Sequence, residues 1–272
     1  MVVFLTFYDK PRTGKMKIAI TGKGGVGKTT VSSLLSYLYS SEGKKVIAVD
    51  ADPDANLASA FGIPKNEIEK LRPIAEITEL IEDRTGAKPG TSGGIFRINP
   101  KVDDIPDGFG YKVNNITLLI MGRSKLAASG CYCPEHALLR RLLKHLIVER
   151  DEVVIVDMEA GIEHLTRGTA EGVDAFIVVV EPGRRSIQTA VAVKSLAKGL
   201  GVKRVFVIAN KVRKEEDVTF IKNELSDMEF LGPMNFNESI LESDIQGIPA
   251  YKASENPLEE AAKIKKNLEK LV

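Results

Sequence analysis

Two lysines, two aspartates and two cysteines stand at spacings that chemistry uses. Lys23 and Lys28 lie in the run Thr21-Gly22-Lys23-Gly24-Gly25-Val26-Gly27-Lys28-Thr29-Thr30. Gly22-x4-Gly27-Lys28-Thr29 is a phosphate-binding loop pattern. Its glycines let backbone N–H groups from Gly24 to Thr30 turn inward on phosphate oxygens. Lys28 brings a point charge to the β/γ-phosphates, and the Thr29 hydroxyl can hold Mg²⁺. Lys23, five positions before Lys28, has no need to serve the nucleotide of its own loop. Asp157 ends the apolar run Val153-Val154-Ile155-Val156 as a single carboxylate suited to the water shell of that Mg²⁺. Gly161, four residues on, could bring its N–H to the γ-phosphate. Asp52 follows the apolar run 46–49, at the kind of strand end where open α/β sheets bind ligands.

Cys131 and Cys133 are the only cysteines. One intervening residue suits a disulfide poorly, but two residues of extended chain span at most about 7 Å, so both sulfurs can reach one metal ion. Thiolates favour zinc, nickel or copper(I) over magnesium. Two ligands hold a metal poorly. Four thiolates from two protomers would close the site, and a single-chain set of Cys131, Cys133 and His136 is the rival arrangement.

Elements must position these groups. Ile18-Ala19-Ile20 reads as the first strand, and 31–38 as the helix whose dipole backs the loop. Further strands read at 44–50, 115–122, 153–157, 175–180, 205–209 and 228–231. Residues 66–85 predict an amphipathic helix, with Ile68, Leu71, Ile74, Ile77, Leu80 and Ile81 on one face and Pro73 able to bend or split it. Residues 86–115 read as a long loop with short strands at 95–98, and a loop of this length is expected to serve the client or dimer face. Helices are expected over 135–150, 185–200 and 258–271. Strands alternating with helices imply a doubly wound, mostly parallel α/β sheet. Residues 16–272 are expected to form one domain, with 1–15 an extension or a mis-called start.

Composition bounds the rest. The 272 residues are 43% hydrophobic, enough for one large core, and the formal net charge of +1 makes no case for nucleic acid. No apolar run approaches the ~20 residues of a membrane span, and 2–7 is too short for a signal-peptide core. A cytoplasmic protein without a membrane partner is the expectation.

The run KGGVGKTT resembles the deviant phosphate loop of the MinD/ParA/nitrogenase-iron-protein ATPases. That resemblance implies a homodimer in which Lys23 reaches the partner's ATP. Asp50-Ala51-Asp52-Pro53-Asp54-Ala55-Asn56-Leu57 resembles the group's first switch; it implies that Asp52 orients or activates the attacking water and that Asn56 senses the nucleotide. Asn210-Lys211 after a strand resembles the group's base-reading position, with the Asn210 amide on adenine. Two features depart from the usual pattern: Met158-Glu159 follows Asp157, and Gly232-Pro233-Met234-Asn235-Phe236-Asn237 replaces the frequent Pro-Tyr-Asp.

Ser129-Gly130-Cys131-Tyr132-Cys133-Pro134-Glu135, with DADPDANL and DMEAGIEH, is similar to the nickel-inserting ATPases that mature carbon monoxide dehydrogenase. This narrower resemblance runs from Lys17 to near the C-terminus. It implies ATP, Mg²⁺, a Ni²⁺ cargo at Cys131 and Cys133 (a site zinc also fits), and apo carbon monoxide dehydrogenase as client. A positioning ATPase of the MinD/ParA kind and an iron–sulfur carrier ATPase are the competing functions. The first would need an aromatic membrane helix or a basic DNA surface, and the second tends to use C-x-x-C or widely separated cysteines.

Overall fold

A computed structural model of the chain describes residues 16–52, 54–90, 95–122, 133–160 and 167–272. The sequence-predicted residues Cys131 and Gly161 lie outside these.

The first half runs β1 (Lys17–Thr21), α1 (Lys28–Ser41), β2 (Val46–Asp50), α2 (Leu57–Ala60), α3 (Lys65–Ile68), α4 (Thr78–Thr85), α5 (Ile105–Phe109), β3 (Tyr111–Val113) and β4 (Ile116–Ile120). The second half adds α6 (Pro134–Lys144), β5 (Val153–Asp157), α7 (Arg167–Ala170), β6 (Ala175–Val180), α8 (Arg184–Gly199), β7 (Val205–Val212), α9 (Glu215–Glu224), β8 (Glu229–Asn235), α10 (Glu238–Ile245) and α11 (Glu255–Leu271). The strands form one sheet in the order β3-β4-β2-β5-β1-β6-β7-β8. Only the β3–β4 pair at one edge is antiparallel.

Strands covered on both faces must be apolar on both. β1, β2, β5 and β6 are buried along their whole length. Alternate residues serve opposite layers. Ala19, Val49, Val156 and Val178 meet Leu138, Leu142 and Leu146 from α6 and its extension, and Ile187 and Val193 of α8. Ile18, Ile20, Ile155 and Ile177 meet Val31, Leu34 and Leu35 of α1 and Ile264 and Leu268 of α11. Each fully buried Val, Leu or Ile among these contributes about 1.5–3 kcal/mol of burial. Among the described residues no helix is long and apolar enough to cross a membrane.

Register brings the working strand ends level. Ile20 and Asp50 both lie opposite Asp157, so the loops after β1, β2 and β5 open at one edge.

Three expectations change. The helix over 66–85 is split near Pro73, as its sequence allowed, into α3, a 3-10 turn at Ile74–Glu76, and α4, but its single apolar face is lost. Pro73 is extended at φ −57°, ψ 140° and disfavours helix in the residue before it. Its apolar residues do not share a face: Ile74, Ile77, Leu80 and Ile81 pack into the layer with α6, while Ile68 and Leu71 pack against the layer with α1. Residues 95–98 form no strand, and Ile95 is fully exposed. The loop instead contains α5 and β3, turned back onto β4 through Asn114 at φ +53°. The helix expected over 135–150 ends as α-helix at Lys144 and continues through a wider π turn, His145–Glu149.

Candidate nucleotide site and cysteine turn

β1 delivers the loop and α1 takes it away. Gly27 precedes α1 in the left-handed region at φ +94°, and a Cβ there would lie 2.2 Å from the Asn210 Nδ2. A Cβ on Gly22 would lie 2.4 Å from the Val179 carbonyl oxygen. Both positions therefore require glycine. Gly24 and Gly25 are exposed with open space above them, where a phosphate can approach the backbone.

Lys28 opens α1 and is 6% exposed. Its ammonium lies 3.4 Å from Oδ2 of Asp52. Asp52 Oδ1 accepts the Asp54 N–H at 3.1 Å. The two sequence-predicted groups are thus paired with each other. Thr29 and Thr30, the next residues of α1, are half-buried.

Asp157 is fully buried at the end of β5, and neither carboxylate oxygen has a hydrogen-bond partner among the described residues. Burial pushes its carboxyl up to about 6, with Thr29 and Lys28 nearby acting against the shift. A buried, unpartnered carboxylate beside the Thr29 hydroxyl is an oxygen donor set that fits a hydrated Mg²⁺.

Sequence reasoning passed over Asp50. Fully buried, it accepts the Asp52 N–H at 3.2 Å and the Leu57 N–H at 2.8 Å. It therefore clasps the turn that carries Asp52. Burial, then the Asp157 and Asp52 carboxylates, push Asp50 up to about 7 against those two backbone bonds. Three carboxylates are gathered here at the strand ends, so the site is short of positive charge.

Asn210 donates from Nδ2 to the Val26 carbonyl at 2.7 Å, and Lys211 donates from Nζ to the Gly25 carbonyl at 2.6 Å. Lys211 adopts φ +57° to do so. The end of β7 thus braces the phosphate loop from behind. The Asn-Lys dipeptide points in sequence to a role at adenine, but not to these two carbonyls. Beyond Asp157, Met158 N–H donates to the Ile20 carbonyl at 3.0 Å and Thr21 Oγ1 to the Glu159 carbonyl at 2.6 Å. These bonds tie the segment that follows β5 to β1.

Cys133 stands apart, buried at the N-cap of α6, where Pro134 takes the first helical position. Two residues later Glu135, 3% exposed, accepts the Gly90 N–H at 3.0 Å. That bond ties the long loop to the first turn of α6. Among the described residues no group of three or more His, Cys, Asp or Glu is placed to hold a metal.

Residues 17–250 match the CobQ/CobB/MinD/ParA nucleotide binding domain. The chain is 52% identical to an uncharacterized ATP-binding protein of Methanocaldococcus jannaschii, over 86% of this chain and 90% of that one. It is 49% identical to the carbon monoxide dehydrogenase accessory protein CooC of Rhodospirillum rubrum, over 88% and 90% respectively. The septum site-determining protein MinD of Pyrococcus horikoshii, solved with Mg-ADP, superposes with a TM-score of 0.66 at 20% identity, covering 94% of this chain and 97% of that one. That last likeness speaks for the fold alone. This chain belongs to the CobQ/CobB/MinD/ParA nucleotide-binding family and, within it, to the CooC-type ATPases.

Proposed function

We propose that the protein is an ATP-hydrolysing homodimeric metallochaperone that delivers Ni²⁺ to the active site of apo carbon monoxide dehydrogenase. The observation that carries this reading is the Cys131-x-Cys133 pair in a chain half-identical to a carbon monoxide dehydrogenase accessory protein. A single ATPase domain over 16–272 would do the work.

In this reading the backbone of Gly24, Gly25, Val26, Gly27, Thr29 and Thr30 cradles the phosphates, and Lys28 meets the β/γ-phosphates. Arrival of the phosphates draws Lys28 from Asp52, and the freed carboxylate orients the attacking water. Thr29 would hold Mg²⁺, with Asp157 on its water shell, and the ion would supply charge neutralisation for phosphoryl transfer. The Gly161 N–H meets the γ-phosphate. Asn210, while bracing the loop, offers its remaining amide atoms to adenine. Lys23 crosses to the partner's ATP. Cys131 and Cys133 of both protomers bind the cargo as four thiolates, a set zinc also satisfies.

Anaerobic Ni²⁺ titration, with the solution mass measured with and without ATP, tests the reading. One metal per dimer and ATP-dependent activation of nickel-free carbon monoxide dehydrogenase are expected. No metal uptake, or activation that is indifferent to ATP, would reject it.

A further inference from the structure

Lys23 is the residue that the proposed function sends to a second chain, and in this structure it has a partner in its own. Its Nζ lies 3.7 Å from Oε1 of Glu181. The sheet sets this contact. β1 and β6 run parallel with Thr21 opposite Val178, so Lys23 and Glu181 leave adjacent strand ends two and three residues later. Gly22 runs close past the end of β6, where an added Cβ would lie 2.4 Å from the Val179 carbonyl oxygen. The Glu181 N–H donates to Oγ of the buried Ser186 at 3.1 Å, fixing the carboxylate's backbone to the first turn of α8. The Lys23 and Glu181 side chains are 39% and 31% exposed, so a second chain can reach the pair.

The surrounding charges sharpen the point. Glu181 is the only acidic residue in the segments 21–30 and 181–187. Arg184 and Arg185, exposed at the start of α8, are its other cationic neighbours in sequence. A carboxylate here opposes what an edge meant to receive a partner's triphosphate would otherwise offer, an uninterrupted run of positive charge. An exposed pair is weak, and a weak pair can be exchanged for a phosphate of higher charge.

We propose that Glu181 is the intramolecular restraint on Lys23. It holds the ammonium on its own chain until ATP bound to a second copy of this chain offers a more negative partner. Glu181 is thus a positioning residue that sets the threshold for ATP-driven dimerisation. The proposal rests on the reading that Lys23 acts across the dimer.

Sedimentation equilibrium with non-hydrolysable ATP tests it. Glu181→Gln should tighten the dimer constant by about two- to thirtyfold, the square of what one exposed ion pair commands, because each of the two protomers releases one pair. Nucleotide affinity under monomeric conditions should stay unchanged. In a Lys23→Gln background the same substitution should have no effect, because the coupling belongs to the pair. Glu181→Asp keeps the charge, shortens the reach, and should fall between. An unchanged or weakened dimer with Glu181→Gln would overturn the proposal, as would an equal gain with and without Lys23. If Lys23→Gln alone leaves ATP-dependent dimerisation intact, the trans reading fails first and takes this one with it.

Discussion

The Lys28–Asp52 pair at 3.4 Å makes the separation of binding from turnover a residue-scale question. Lys28→Ala removes the loop's own charge on the β/γ-phosphates and should abolish tight ATP binding in a calorimeter. Asp52→Ala leaves the cradle intact and frees Lys28 from a competitor. ATP should bind at least as tightly, while hydrolysis falls by roughly 10²-fold or more. Near-normal turnover would remove Asp52 from the water-orienting role. Asp50 predicts a pH effect on the nucleotide-free protein. Its carboxyl is raised to about 7 from an ordinary 3.8, so the folded state holds the proton more tightly than the unfolded chain. Its contribution is fully present below pH 3.8, is lost as pH rises towards 7, and is level above that. The span is about 4 kcal/mol as an order of magnitude. Glu149, held down at about 2 chiefly by Arg141 and then by His145, acts oppositely but only below about pH 4.5. Melting temperature should therefore fall between pH 4.5 and 7, and Asp50→Asn should flatten the fall. A wild-type profile that rises over that interval would count against this account. The loop lysines, Asp52 and Asp157 stand out as candidates in the sequence because their proposed chemistry fixes local spacing, and the structure pairs Lys28 with Asp52. Asp50 and Lys211 were not, because their partners are backbone groups that only the folded turns bring near.

At the scale of elements, α6 links the cysteine turn to the core. Cys133 caps it, and Leu138, Leu139, Leu142 and Leu143 bury its inner face. That stripe could be read from spacing alone, as could the buried strands, whose apolar runs have no other use. Residues 66–85 could not. Their apolar spacing suits one helix, yet Pro73 turns the chain so that its two halves pack on opposite layers of the sheet. Spacing reports that residues are buried, not against which neighbour. The same layering makes α6 testable. Leu142→Ala, at a site with no exposure, should cost about 2–5 kcal/mol in denaturant unfolding. Because α6 begins at Cys133 while α1 begins at Lys28 of the phosphate loop, metal affinity of the folded variant should drop more than ATP affinity. Equal losses at both sites would show that α6 does not position the cysteines separately.

For the whole molecule, the sheet order puts β1 between β5 and β6 and so sets Lys28, Asp52 and Asp157 at one edge, with Lys23 at its rim. This much follows from strand alternation and the loop pattern. A metal site at the cysteines does not, because a pair one residue apart is too small a ligand set by itself and its spacing does not say what completes it. The proposed dimer would supply a two-fold axis, and a two-fold axis would double the thiolate pair into a closed four-sulfur site. Metal should then promote dimerisation, at one ion per two chains. Thiols must lose their protons to bind, so affinity should fall as pH falls. The Cys131→Ser, Cys133→Ser double variant should lose both the metal and the metal-driven dimer while still binding ATP, because the phosphate loop is built from residues 22–30 alone. Zinc in a purified sample would leave a nickel role intact, since both ions suit four thiolates. Mass spectrometry of the native complex, with metal counted per chain, decides between the arrangements. One metal per chain, abolished by His136→Ala, would overturn the shared site in favour of a ligand set within a single protomer.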